Sequence, residues 1–305
     1  MNEIVQLFCG GSSARLLPAA GGRISALRLV RPEGGAVDIL HPYPEDFFDP
    51  IRWAKGGIYP LMPYSNRIAQ ATVTVNGEAV ALTAHPDAAP HSLHGNAQGL
   101  AWQLAQSDAT SAVMTVDSLA SAAWPWHYTG SMHVELTPDA LRVELELRNV
   151  DTRTMPAGMG LHPYFRHRPE ARIAYRAAAV WPPTTEFLPG AARAPHPGEI
   201  YTPARSLPAG GRTDYVGGWD GVASVELQDA AGASTWLKIV ADPVFSHLVV
   251  HRPDNLAYLC LEPVSHVADG FNLAARGVAD TGARLLAPGE TMGGTIRFQL
   301  MGDAA

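Results

Sequence analysis

Three segments carry side chains able to move protons or hold a polar ligand. In Leu256-Ala-Tyr-Leu-Cys-Leu-Glu262-Pro263, a period of two puts Tyr258, Cys260 and Glu262 on one face and Ala257, Leu259 and Leu261 on the other. Glu262 is therefore expected to end a hydrophobic strand, where partial desolvation raises a carboxylate towards the range of a general base. A strand-end glutamate turned to solvent accounts for the same residues. In Gly158-Met-Gly-Leu-His162-Pro163-Tyr164-Phe165, a regular strand aligns Gly158, Gly160, His162 and Tyr164. The glycines are expected to leave space beside the imidazole for a ligand. Imidazole is the side chain best suited to exchange protons near pH 7, yet a histidine satisfied in the core or rim reads the same way.

The third segment, Pro90-His91-Ser-Leu-His94-Gly95, holds two histidines three residues apart. On a helix they would suit zinc, but Pro86, Pro90 and Gly95 predict a loop. Upstream, Asn66-Arg67 offers an amide and a guanidinium, planar groups that can hydrogen-bond sugar hydroxyls. An ordinary surface ion pair is the other reading of Arg67.

The elements that must position these groups read as strands. At residues 72–82, two alternating runs flank Asn76-Gly77, a tight-hairpin signal. Leu141, Val143, Leu145 and Leu147 alternate with charged residues, Met132, Val134 and Leu136 repeat the pattern, and Thr137-Pro138-Asp139-Ala140 supplies the turn between them. Further strands are expected at 24–30, 222–227, 236–240, 245–250, 256–261 and 295–300. Helical periodicity never lasts beyond about two turns. The fold class is all-β, a large antiparallel β-sandwich, with residues 1–305 as a single domain. The Pro- and Ala-rich stretch 189–211 reads as a surface excursion within it.

Composition narrows the function. Of 305 residues, 47% are hydrophobic and 17% charged, with 29 glycines and 25 prolines scattered between apolar runs. That is a large core with many turns. The net charge of −7 argues against nucleic acid, whose phosphates require clustered Lys and Arg, and against a membrane surface. No apolar run approaches the ~20 residues that span a bilayer. Met1-Asn-Glu-Ile-Val lacks a secretory pattern, so a cytoplasmic location is expected. Cys9 and Cys260 are expected to be reduced, packed thiols.

In order along the chain, Asn66-Arg67-Ile68, His91-Ser-Leu-His94-Gly95 with Trp102, Gly160-Leu-His162-Pro-Tyr-Phe165 and Leu261-Glu262-Pro263 together resemble the aldose 1-epimerase (galactose mutarotase) family. Thr213-Asp214-Tyr215, Gly218-Trp-Asp220-Gly221 and Glu262-Pro-Val-Ser-His266 through Phe271-Asn272 extend the match from about residue 15 to the C-terminus. The resemblance implies the galactose mutarotase-like supersandwich with an open carbohydrate cleft and a monosaccharide substrate. It implies Glu262 as the base that takes the anomeric hydroxyl proton and His162 as the acid that protonates the ring oxygen. Asn66, Arg67, His94 and Asp214 would bind the sugar, and no metal, redox cofactor or covalent intermediate is required. The acid and base are expected to meet across one pocket just wide enough for a pyranose.

Two positions depart from the family pattern. Asn96 stands where a second glycine usually follows His94-Gly95, which would alter sugar contacts, and Ala71 replaces a turn glycine. Asp220 competes with Asp214 for the ligand role. Three other readings share these residues. A hexose-6-phosphate epimerase would add Arg52, Lys55 and Arg67 for the phosphate. A non-catalytic sugar-binding protein would stack the ligand on Trp53, Trp124, Trp126 or Trp219. A metal-dependent enzyme would need His91, His94 and a third ligand to converge.

Overall fold

Asn76 and Gly77 both take positive φ, 51° and 83°, and close Thr72–Val75 onto Glu78–Ala81 in register. A type I′ turn demands that backbone, and Asn-Gly adopts it with little strain. A later hairpin is longer: Tyr128–Leu136 pairs with Ala140–Asn149 from Tyr128↔Asn149 to Leu136↔Leu141. Burial alternates strictly along its first strand, as period two requires. Its inward residues Met132, Val134, Leu141, Val143, Leu145 and Leu147 are buried in the main core, each full burial contributing about 1.5–3 kcal/mol.

This computed structural model describes residues 3–302 except 32, 47, 53, 167, 169, 229–231 and 255–257. Eighteen strands join one hydrogen-bonded network, and the α-helix among the described residues is the six-residue Gly270–Ala275. The expected all-β architecture is the one found. No helix among the described residues is long and apolar enough to cross a membrane. Cys9 and Cys260 are free thiols.

Several boundaries differ from expectation. Arg212–Gln228 is one strand of 17 residues rather than a short run, because it changes partners midway. Its first half pairs with His247–Arg252 and its second with Ser234–Ala241, and Gly218 and Gly221, both at positive φ, lie between. The 189–211 stretch is more than an excursion: Tyr201–Ser206 pairs with Arg172–Trp181 and buries Tyr201. The strand that carries Glu262 is Tyr258–Val264, with Leu256 and Ala257 outside the described residues. Glu262 therefore sits inside the strand, paired with Val249, instead of ending it.

Neighbouring strands bring the chemistry together. Ile58–Leu61 pairs with Gly160–Pro163 so that Tyr59 opposes His162. Gly160 opposes Val264, and the same strand places Glu262 beside Val249. His251 in turn opposes Thr213, and Arg67 opposes Leu93 across a two-residue pairing. Because side chains alternate faces, this antiparallel register aims Tyr59, His162, Glu262, His251 and Thr213 at one cavity.

Candidate active site

Nε2 of His162 lies 3.3 Å from Oε1 of Glu262, and both side chains are more than nine-tenths buried. They line a cavity of about 210 Å³, smaller than the ~300–1,000 Å³ of pockets for drug-sized ligands. The expectation that they face each other across a pyranose-wide gap is corrected: they stand side by side. Adjacency suits acid–base work on one carbon that bears two oxygens, because groups serving both oxygens must themselves be neighbours.

Burial pushes the Glu262 carboxyl well above the usual carboxylate range. Burial likewise pushes the His162 imidazole down, reinforced by His94, His251, Lys55 and Arg23. Their mutual contact opposes both displacements, since each charge favours the other. Burial thus brings the two groups' proton affinities towards each other, and the close pair titrates as a unit. Oε2 of Glu262 and Nδ1 of His162 are buried without hydrogen-bond partners. His162 is held instead by stacked rings, Tyr59 at 4.9 Å and Tyr164 at 4.6 Å between centroids.

The glycines upstream of His162 do not leave room for a ligand. A Cβ on Gly158 would lie 2.1 Å from the ring of His266, and one on Gly160 would lie 2.6 Å from the carbonyl oxygen of Pro263. They admit a packed histidine and a neighbouring strand, which is a different use of the missing side chain.

Asn66, Arg67 and His94 all line the cavity. The backbone N–H of Asn66 donates to Nδ1 of His94 at 3.1 Å, so the neutral ring carries its proton on Nε2. Burial pushes this histidine well below its ordinary value, which keeps it neutral and a donor. His94 sits at φ 60°, and Gly95 after it passes so close to the Met62 carbonyl that a Cβ would lie 2.1 Å from that oxygen. The Arg67 guanidinium rests over the Phe187 ring at 4.8 Å, a contact that fixes its direction.

Other expectations change. Asp214 is not among the cavity-lining residues; it is ion-paired with Arg212 on the opposite face of the strand from Thr213. Burial raises its pKa while Arg212 opposes the rise. Asp220 accepts the Val222 N–H at 3.1 Å and shapes a turn. Asn96 turns away to Ser118 and Tyr128, so the departure at that position leaves the cavity untouched. Ala71 occupies a turn at φ 44°. Trp124, Trp126 and Trp219 are buried in the core and offer no stacking face, and Trp53 lies outside the described residues.

The metal reading loses its ligands as well. Nδ1 of His91 accepts the Gln70 N–H, and that of His94 is taken by Asn66. Among the described residues, the group of three potential ligands is His162, Cys260 and Glu262. Of the three cations considered for a phosphate, Lys55 and Arg67 line the cavity and Arg52 does not.

Several cavity residues were not read from the sequence. Tyr59, His251, Thr213 and Phe187 all line it, with Thr213 Oγ1 2.9 Å from Nδ1 of His251. The Phe187 ring is at the mouth, 43% exposed, and its carbonyl accepts the Tyr215 hydroxyl at 2.7 Å. His251 reaches the cavity through strand pairing: it lies two residues from Val249, the partner of Glu262, a relation that only the fold supplies.

Comparison with known proteins gives a consistent picture. The model of the aldose 1-epimerase family matches residues 17–299. The uncharacterized protein YphB of Escherichia coli K12 is 28% identical over 243 residues, covering 76% of this chain and 80% of YphB. A galactose mutarotase-like protein from Clostridium acetobutylicum superimposes with a TM-score of 0.82 at 17% identity, over 99% of this chain and 96% of that one. The GalM/aldose epimerase homologue from Caenorhabditis elegans gives 0.80 at 16% identity, over 99% of both chains.

Proposed function

The chain belongs to the aldose 1-epimerase family, and on that premise we propose that it is a mutarotase that interconverts the α and β anomers of a free aldohexose. The observation that carries this reading is the 3.3 Å contact of His162 with Glu262 in a cavity of about 210 Å³. Glu262 takes the proton of the anomeric hydroxyl while His162 gives one to the ring oxygen. The bond between C1 and the ring oxygen breaks, leaving an open-chain aldehyde. Glu262 is now protonated and His162 neutral, the state that burial favours for both. Rotation about C1–C2 presents the other carbonyl face. Reclosure returns a proton from Glu262 to the carbonyl oxygen and one from the ring-forming hydroxyl to His162. Each transfer contributes about 10²- to 10⁴-fold. The pair ends a full cycle with the same one proton it began with.

Arg67, Asn66 and the Nε2–H of His94 hold the sugar hydroxyls in this reading. Thr213 takes the place first given to Asp214, because it faces the cavity and Asp214 does not. A hexose 6-phosphate is the competing substrate, favoured by Lys55 and Arg67 at the cavity, although Asp87 stands there too. Polarimetry of freshly dissolved α-D-glucose, α-D-galactose and hexose 6-phosphates tests both. Faster equilibration of a free sugar supports the proposal, acceleration of phosphorylated sugars alone moves the substrate class, and no acceleration of any sugar removes the enzyme reading.

A further inference from the structure

Arg23 is fully buried, and the polar partner its guanidinium meets is the neutral phenol of Tyr43. No carboxylate is paired with it among the described residues; the groups its charge acts on are the phenols of Tyr43, Tyr59 and Tyr164. An unpaired charge taken out of water is expensive, and such groups concentrate where a protein uses them. Its guanidinium carbon lies 4.8 Å from the ring centre of Tyr43 and 4.6 Å from that of Tyr59, cation–π contacts that repay part of the cost. The pairing of Ile24 with Ile58 sets the two strands side by side and so fixes Arg23 beside Tyr59.

Tyr59 in turn stacks on His162. Contacts of 4.6 and 4.9 Å laid end to end put the guanidinium at most about 9.5 Å from the imidazole. The other groups facing His162 are Glu262 at 3.3 Å, His94 with its ring at 5.3 Å, Tyr164, Cys260, His251 and Lys55. Lys55 stands exposed at the rim, where solvent and salt screen it, whereas Arg23 acts through the dry interior. Arginine rather than lysine suits that position, because only arginine keeps its proton in full burial.

We propose that Arg23 is a positioning residue that holds Tyr59 against His162 and, as a buried cation without a counter-ion, drives the His162 proton towards the sugar ring oxygen. The catalytic half of this inference rests on His162 being the proton donor; the electrostatic half does not.

The test is a pH titration of His162 by NMR in protein labelled at histidine, alongside kcat/KM against pH, for wild type, R23M and R23Q. Loss of one charge within about 9.5 Å at an effective dielectric near 20 should raise the His162 titration by about one pH unit. Both variants should show it, with the acidic limb of kcat/KM moving in step and kcat falling more than KM changes. A folded variant whose His162 titration is unmoved overturns the proposal, because a space-filling arginine would alter stability only. Should neither variant fold, R23K takes their place: a lysine buried there sheds its proton and so removes the same charge, the same rise in the His162 titration is expected, and an unmoved titration overturns the proposal. A wild type without mutarotation of any sugar removes the donor role, while the NMR shift still judges the coupling between Arg23 and His162.

Discussion

Acid should unfold this protein through histidines that are buried neutral, and His266 shows how much each one contributes. Its ring is 1% exposed, accepts the Ser65 N–H on Nε2 at 3.2 Å and donates from Nδ1 to the Val267 carbonyl at 2.7 Å. Protonating Nε2 would set a donor against a donor. Burial pushes this group down to about 4 from 6.5. A depressed folded-state pKa contributes stability that is present above the unfolded value and lost as pH falls through the folded one. The window is therefore about pH 6.5 to 4, with roughly 3 kcal/mol at stake and about 2 kcal/mol of it lost between pH 7 and 5. That is a large share of the ~5–15 kcal/mol that stabilises a typical domain. His266→Gln cannot titrate, so its unfolding free energy in urea should lose about 2 kcal/mol less between pH 7 and 5 than wild type does. At pH 7 the variant should be the less stable protein, since two ring hydrogen bonds are gone. An equal pH 7-to-5 loss in both proteins would refute the reasoning. The bond to Ser65 also seats the chain just before Asn66 and Arg67, so the same protonation should loosen the turn that carries them.

Three further outcomes follow from the site. The kcat/KM profile should be bell-shaped about a broad neutral plateau, falling in acid as the pair takes a second proton and in alkali as it loses its only one. Burial widens the plateau by lowering His162 and raising Glu262, and stopped-flow polarimetry across pH 4–10 (roughly the range these groups span) checks it. Asp214→Asn should leave KM and kcat near wild type while lowering thermal stability, because it strands the half-buried Arg212; a large rise in KM would restore Asp214 to the sugar site. Gly158→Ala should destabilise by at least about 1–3 kcal/mol, since its methyl would overlap the His266 ring. Unchanged denaturant midpoints would contradict that packing.

Local periodicity made much of this legible. The alternation from Leu141 to Leu147 and the Asn76-Gly77 turn are decided by neighbours within a few residues, and both were readable as strands and hairpins. His162 and Glu262 stood out because titratable groups in apolar strands are costly. What eluded the sequence depends on contacts between distant segments. Gly158 looked like ligand space, yet the atoms that fill it come from His266, more than a hundred residues away. Alternation separates Thr213 from Asp214, but only the pairing with His247–Arg252 decides which of them meets the cavity. Tyr59 lies in an apolar run where a tyrosine reads as ordinary core, and Arg23 at a strand's start reads as surface.

Mutarotation as proposed requires Glu262 to move the anomeric proton, and Glu262→Gln isolates that step because it keeps shape and removes the base. Polarimetric anomerisation rates and sugar binding by calorimetry should be measured on the same preparation. A loss of at least about 10²-fold in rate with binding retained is the predicted result. A variant that equilibrates the anomers as fast as wild type would show that the proton goes elsewhere.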